Sequence, residues 1–165
     1  MQVLTRETFP SEGEKSAPQA QRRSGPIRVL LASPEAAERL GLATIVTAQT
    51  DMELVAQPAL AEEILQSLDI HRPDVAVVDA DLLEPCVVDN LLGRAGDRRP
   101  PRLLALVMHV KCDGVQRALQ ARAQGILLRG MNYLDFLDAI RTVYGGNLYS
   151  PEMAAAKQRD QDGAL

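Results

Sequence analysis

Arg72-Pro73-Asp74-Val75-Ala76-Val77-Val78-Asp79 is the stretch on which the reading of this chain turns. A short apolar run held between a proline and an acid fits a strand covered on both faces, as parallel strands are. Pro73 biases Arg72 toward an extended backbone and so separates the run from any helix before it. Asp79 then stands at the strand's carboxyl end, beyond which open α/β sheets gather their chemistry.

Outward from that strand, apolar runs alternate with amphipathic stretches. Ile27–Ala32, Glu53–Ala56, Val75–Val78, Leu103–Met108 and Ile126–Leu128 read as five strands, and residues 35–48, 59–70, 86–95, 113–123 and 133–145 as the helices that follow them. Five βα units predict an α/β fold, a doubly wound parallel sheet with helices on both faces, because each right-handed crossover must carry a helix. Ser33-Pro34-Glu35 predicts a hydroxyl N-cap, a proline at the first helical position and an acid in the first turn. Asn132 is the expected cap of the last helix, whose Leu134, Leu137, Ile140 and Val143 fall on one face and which Gly145-Gly146 ends.

Composition narrows the function classes. The chain has 165 residues, 46% hydrophobic and 24% charged, enough for one domain with a real core. Residues 1–25 and 152–165 are polar and are expected to be mobile tails around a domain at 26–151. The net charge of -4 supplies no basic field, so direct nucleic-acid binding by this chain is not expected. Nothing approaches the roughly 20 apolar residues that cross a bilayer, and the N-terminus lacks a signal-peptide core, which points to the cytoplasm and away from membranes. Cys86 and Cys112 form no CxxC pair, and His109 beside Cys112 is a weak ligand set, so no metal or disulfide is expected. The runs Arg22-Arg23 and Arg98-Arg99 read as solvated loop charges. Walker, GxGxxG, HExxH and GxSxG patterns are absent, and the chain reads as a binding protein rather than an enzyme.

From Pro26 to about Pro151 the sequence resembles the receiver domain of bacterial response regulators, most of all the NarL/FixJ type. The residues that carry the resemblance are Ile27-Arg28-Val29-Leu30-Leu31-Ala32, the stretch from Arg72 to Asp79, Ala121-Arg122-Ala123-Gln124-Gly125-Ile126-Leu127-Leu128-Arg129, Ala139-Ile140-Arg141, and Gly145-Gly146-Asn147-Leu148-Tyr149-Ser150-Pro151. The resemblance implies a flavodoxin-like (βα)5 fold with strand order 2-1-3-4-5 and a place in two-component phosphorelay signalling. It also implies that Asp79 is the phosphoacceptor position.

The rest of the family's machinery does not carry over. The acidic pair that holds Mg²⁺ falls on Ser33 and Pro34, the switch hydroxyl on Val107, the switch aromatic on Ile126 and the phosphoryl-gripping lysine on Arg129, still a cation but a planar fork. Mg²⁺ wants near-octahedral oxygen ligands, and phosphoryl transfer depends on positioning and charge stabilisation, so these losses predict slow phosphorylation. Two roles are open to Asp79. It is an inherited carboxylate satisfied by Arg129 and backbone amides, the preferred reading, or it accepts phosphate with Asp81 or Glu35 completing an irregular Mg²⁺ site. No cofactor is expected unless the second reading holds.

The expected function is therefore that of a divergent pseudo-receiver in signal transduction or transcriptional control, acting through protein contact. The alternatives are a response regulator phosphorylated at Asp79 by a histidine kinase, and a small-ligand sensor whose crevice Val107, Met108 and Ile126 make dry. In the resembling family the Gly-Gly-x-x-Tyr-Ser-Pro-Glu segment leads to a helix-turn-helix domain, whereas here Met153 to Leu165 follows, so output through a protein partner is expected. The surface to suspect joins the fourth helix, fifth strand and fifth helix. Val115, Leu119 and Tyr144 would anchor a partner or a homodimer there, with Gln116, Arg117, Gln120, Tyr133, Asp135, Asp138 and Arg141 as the polar edge.

Overall fold

The computed structural model describes residues 24–96, 100–152, Ala155 and Arg159. The expected N-terminal tail up to Arg23, Arg22-Arg23, Arg98-Arg99 and most of the expected C-terminal tail lie outside the described residues. The order along the chain is β1 (Ile27–Ala32), α1 (Ala36–Thr47), β2 (Met52–Ala56), α2 (Ala61–His71), β3 (Val75–Asp79), a 3-10 turn (Ala80–Leu82), α3 (Pro85–Gly93), a second 3-10 turn (Arg94–Gly96), β4 (Arg102–Val107), α4 (Asp113–Gln120), β5 (Gly125–Leu128) and α5 (Tyr133–Tyr144). All strands are parallel, in the order β2-β1-β3-β4-β5. The expected flavodoxin-like topology is thus present, with the winding reversing between β1 and β3.

The period of two along each strand builds the two cores. Val29, Leu31, Val75, Val77, Leu104, Leu106 and Leu127 face α1 and α5, where Phe136 and Ile140 fill the layer. Leu30, Ala32, Ala76, Val78, Leu103, Ala105 and Val107 face α2, α3 and α4. Apolar strands buried on both sides are what an all-parallel sheet requires. No helix among the described residues is long and apolar enough to cross a membrane.

Four local expectations are corrected. Ser33 does not cap α1: its hydroxyl accepts from the Glu35 N–H at 3.2 Å and donates to Glu38 at 3.0 Å, Pro34 stays outside the helix, and α1 starts at Ala36. Such a local side-chain turn competes with helix initiation. Arg72 is not extended before Pro73 but left-handed, φ 43°, because its N–H closes the end of α2 on the Leu68 carbonyl. The fourth helix stops at Gln120 rather than 123, since Ala123 N–H bonds back to Ala118 and Arg122 takes φ 54°, a Schellman-like closure. Leu134 is 58% exposed, and Phe136 takes the buried place on α5. Asn132 caps α5 as expected, accepting from the Leu134 N–H at 2.8 Å.

Beyond α5 the chain returns to the sheet. Tyr149 forms a parallel bridge with Gly125, its N–H bonding to Gln124 and its carbonyl accepting from Ile126, so the outer edge of β5 is covered there. Gly125 is dictated by this closeness: an added Cβ would lie 2.5 Å from Leu104 Cδ2 and 3.0 Å from Tyr149 Cβ.

Candidate functional site

β3 delivers Asp79 to the carboxyl edge of the sheet, in register with Leu106 of β4. The carboxylate is 2% exposed. Its Oδ1 accepts from the Asp81 N–H at 2.9 Å, which winds the 3-10 turn away from the strand. Its Oδ2 is in direct contact with Nη2 of Arg129. Among the described residues these two atoms have no other polar partner, so each is the other's compensation. A buried carboxylate without such a partner costs several kcal/mol.

Arg129 is held from both ends. It follows β5, and its N–H bonds to the Val107 carbonyl at 2.9 Å, carrying the pairing with β4 one residue past the end of β5. Its guanidinium is a three-way junction: Nη2 meets Asp79, Nε lies 3.5 Å from Oε1 of Glu38, and Nη1 lies 3.3 Å from the Met108 sulfur. Glu38 reaches in from the first turn of α1 and is fixed by the Ser33 hydroxyl. Arg39 turns the other way and donates to the Ser33 carbonyl at 2.6 Å. Two carboxylates, Asp79 and Glu38, therefore share the one Arg129 guanidinium, whose charge offsets part of theirs.

That balance bears on Mg²⁺, which the fold family implies. The positions of the acidic pair hold Ser33, which is engaged by Glu35 and Glu38, and Pro34, which is exposed. The remaining carboxylates converge on a guanidinium instead of on open space. Among the described residues no group of three His, Cys, Asp or Glu side chains is placed to hold a metal ion. The donor set does not fit a hard octahedral cation, which needs several free oxygens at one point.

The other sequence candidates divide clearly. Asp81 is exposed and turned to Arg117 of α4, at 3.5 Å, and Glu35 is exposed, so neither side chain is joined to Asp79. Val107 is buried and, with Met108, lines a cleft of about 240 Å³ that opens over Asp79, Cys112, Gly114 and Arg129. Ile126 is not in this cleft. It lines a separate 140 Å³ hollow at the β5 edge, with Met131, Tyr149 and Pro151. Cys112 precedes α4, where backbone groups, those of His109 foremost, draw its thiol below the usual range against an opposing push from burial. His109 and Cys86 are exposed.

On the suspected interaction face, Leu119 and Tyr133 are exposed, and Val115 and Tyr144 are partly buried against the two cores. Arg141 of the expected polar edge is engaged: its Nε and Nη2 donate to Asp51 at 2.8 and 3.0 Å, and Nη2 also reaches Gln49, so it ties α5 to the turn before β2. This fork holds the Asp51 carboxyl below its ordinary range. Tyr149, 6% exposed, has its phenol pushed up to about 12 by burial, with the charges of Asp135 and Asp138 adding.

Sequence reasoning missed Glu38. The signal was present in the six residues Ser33-Pro34-Glu35-Ala36-Ala37-Glu38, since the later acid comes back over the strand end once the first turn of α1 is wound.

Comparison with known proteins gives a consistent picture. No family model matches the chain. It is 29% identical over 126 residues to oxygen regulatory protein NreC of Staphylococcus haemolyticus and 30% identical over 126 residues to NreC of Staphylococcus aureus strain JH9, covering 74% of this chain in each case. The chain spans 57% of the length of these relatives. Among solved structures, it is similar to the receiver domain of NarL from Mycobacterium tuberculosis, with TM-score 0.65, 22% identity, and 74% of this chain and 99% of that one covered. It is also similar to the response regulator ChrA of a heme-sensing two-component system, with TM-score 0.62, 25% identity, and 82% and 66% covered.

Proposed function

The chain carries a receiver domain of the NarL type of response regulator, and from that premise we propose that it works as a pseudo-receiver, a signalling module whose output does not depend on Mg²⁺-assisted phosphorylation of Asp79. The observation that carries this reading is the Arg129 guanidinium seated between Asp79 and Glu38. A receiver needs its acceptor carboxylate free to attack and a divalent cation to neutralise the incoming phosphoryl group. Here a tethered cation already neutralises the acceptor, and the ion pair must break before Oδ2 can act as a nucleophile. Val107 at the switch position offers no hydroxyl to an oxygen of a phosphoryl group, and it is packed into the core.

Output then runs through contact with a protein partner, in a cytoplasmic setting such as two-component or transcriptional control. The face made by α4, β5 and α5, with Leu119 and Tyr133 exposed on it, is the surface we assign to a partner or a second copy. The retained Asp79 at the end of β3 favours one second reading, a slow phosphoacceptor served by a histidine kinase.

A thermal melt in rising Mg²⁺ tests the proposal. A cation that binds the folded state alone raises the melting temperature with concentration. The pseudo-receiver reading expects no Mg²⁺-dependent rise in the native chain. A rise that disappears in Asp79→Asn would refute it.

A further inference from the structure

We propose that Met108 is a site of sulfur oxidation by peroxide-class oxidants, and that its sulfoxide disturbs the Asp79–Arg129 pair. The inference rests on the geometry of that pair, as the proposed function does, but not on whether Asp79 takes phosphate.

Met108 follows the last residue of β4 and is 62% exposed at the mouth of the cleft. Its thioether is no bystander, because Arg129 Nη1 lies 3.3 Å from Sδ. With Nε facing Glu38 and Nη2 on Asp79, the sulfur is the third contact of one fork. A thioether is a weak acceptor, so it guides the guanidinium without drawing it from the carboxylates. Oxidation alters that ranking. A lone pair on Sδ attacks one oxygen of hydrogen peroxide, the O–O bond breaks as the S–O bond forms, and the proton on the transferred oxygen passes to the departing hydroxide, which leaves as water; sulfur loses two electrons and the peroxide gains them. The product is polar and carries a strong acceptor oxygen where a soft sulfur stood.

The new oxygen competes with two carboxylates for one guanidinium. Asp79 is the member that cannot compensate, since it is buried and its Oδ2 has no other partner among the described residues. Glu38 keeps the Ser33 hydroxyl. Oxidation at the mouth of the cleft is thereby communicated to the acceptor position. Met52 is buried and Met131 is half-buried in the α1 and α5 layer, so they serve as internal references.

The test treats the full chain with hydrogen peroxide, maps sulfoxide by peptide mass spectrometry and records the melting temperature of the oxidised protein. Met108 is expected to oxidise well before Met52 and Met131, and the melting temperature to fall by about 2–4 °C. The fall is expected to vanish in Met108→Leu and to shrink by at least half in Asp79→Asn. Met108→Gln, a standing neutral acceptor, should lower the melting temperature without oxidant. If Met108 oxidises no faster than Met131, the site is wrong. If the oxidised protein melts unchanged, or falls equally in Asp79→Asn, the link to Asp79 is wrong.

Discussion

Asp79 and Arg129 lie at the ends of two different strands, β3 and β5, and meet in a direct ion pair over the carboxyl edge of the sheet. The pair joins segments 50 residues apart and leaves a carboxylate with 2% exposure dependent on a cation whose side chain is 22% exposed. Removing one partner of a buried pair costs more than the pair itself contributes, because the other charge stays buried.

Arg129→Met is therefore expected to destabilise the domain by about 2–4 kcal/mol. Combining it with Asp79→Asn should restore more than half of that loss. Urea unfolding of the native chain, both single variants and the double variant gives the coupling. Additive effects would show that the two side chains do not compensate each other.

Glu38 holds the second side of the same guanidinium. Glu38→Gln keeps a group able to accept from Ser33 but removes the charge opposite Nε, and its cost is expected to be about 0.5–1 kcal/mol. That cost should fall to near zero when Arg129 is already Met. An equal cost in both backgrounds would detach Glu38 from the site.

Alkaline stability should report on Tyr149. Its phenol is pushed up to about 12, burial being the main cause, against an ordinary value near 10. The folded state thus holds the proton more tightly than the unfolded chain. The contribution is complete below pH 10 and is lost as the pH rises toward 12, an amount of about 2–3 kcal/mol. Tyr149→Phe should flatten the fall in melting temperature across that window, and an unchanged slope would show that Tyr149 does not cause it.

Gly125→Ala tests the return of the chain to β5. The added methyl meets Leu104 Cδ2 at 2.5 Å and Tyr149 on its other side, and overpacking of this kind costs about 1–3 kcal/mol. Amide exchange of Ile126, whose N–H bonds to the Tyr149 carbonyl, should accelerate in the variant. Unchanged exchange and stability would mean that the edge is not packed as described.

The fold was legible because its signals are dense and local. Val75 to Val78 and Ile27 to Ala32 are apolar runs with few competing interpretations, and the intervening stretches are long enough for crossover helices. The electrostatics were less legible. Glu35 stands beside the expected metal site in sequence, but the turn made by Ser33 leaves it exposed and swings Glu38 into the junction. Arg141 sits on a helix with two flanks, and only the approach of Asp51, 90 residues away, chooses between them. Ile126 occupies the expected strand, yet that strand is at the sheet edge, so its side chain borders the hollow under Tyr149 and not the cleft over Asp79. The last two of these outcomes depend on long-range packing that residue patterns do not specify.

The central claim, that Asp79 is neutralised by Arg129 and does not serve as a Mg²⁺-dependent phosphoacceptor, is tested most directly by intact-mass spectrometry. The native chain and Asp79→Asn are incubated with Mg²⁺ and a small acyl phosphate donor under identical conditions. The predicted result is an unshifted mass for both folded proteins. A single phosphoryl adduct on the native chain that is absent from Asp79→Asn would contradict the claim.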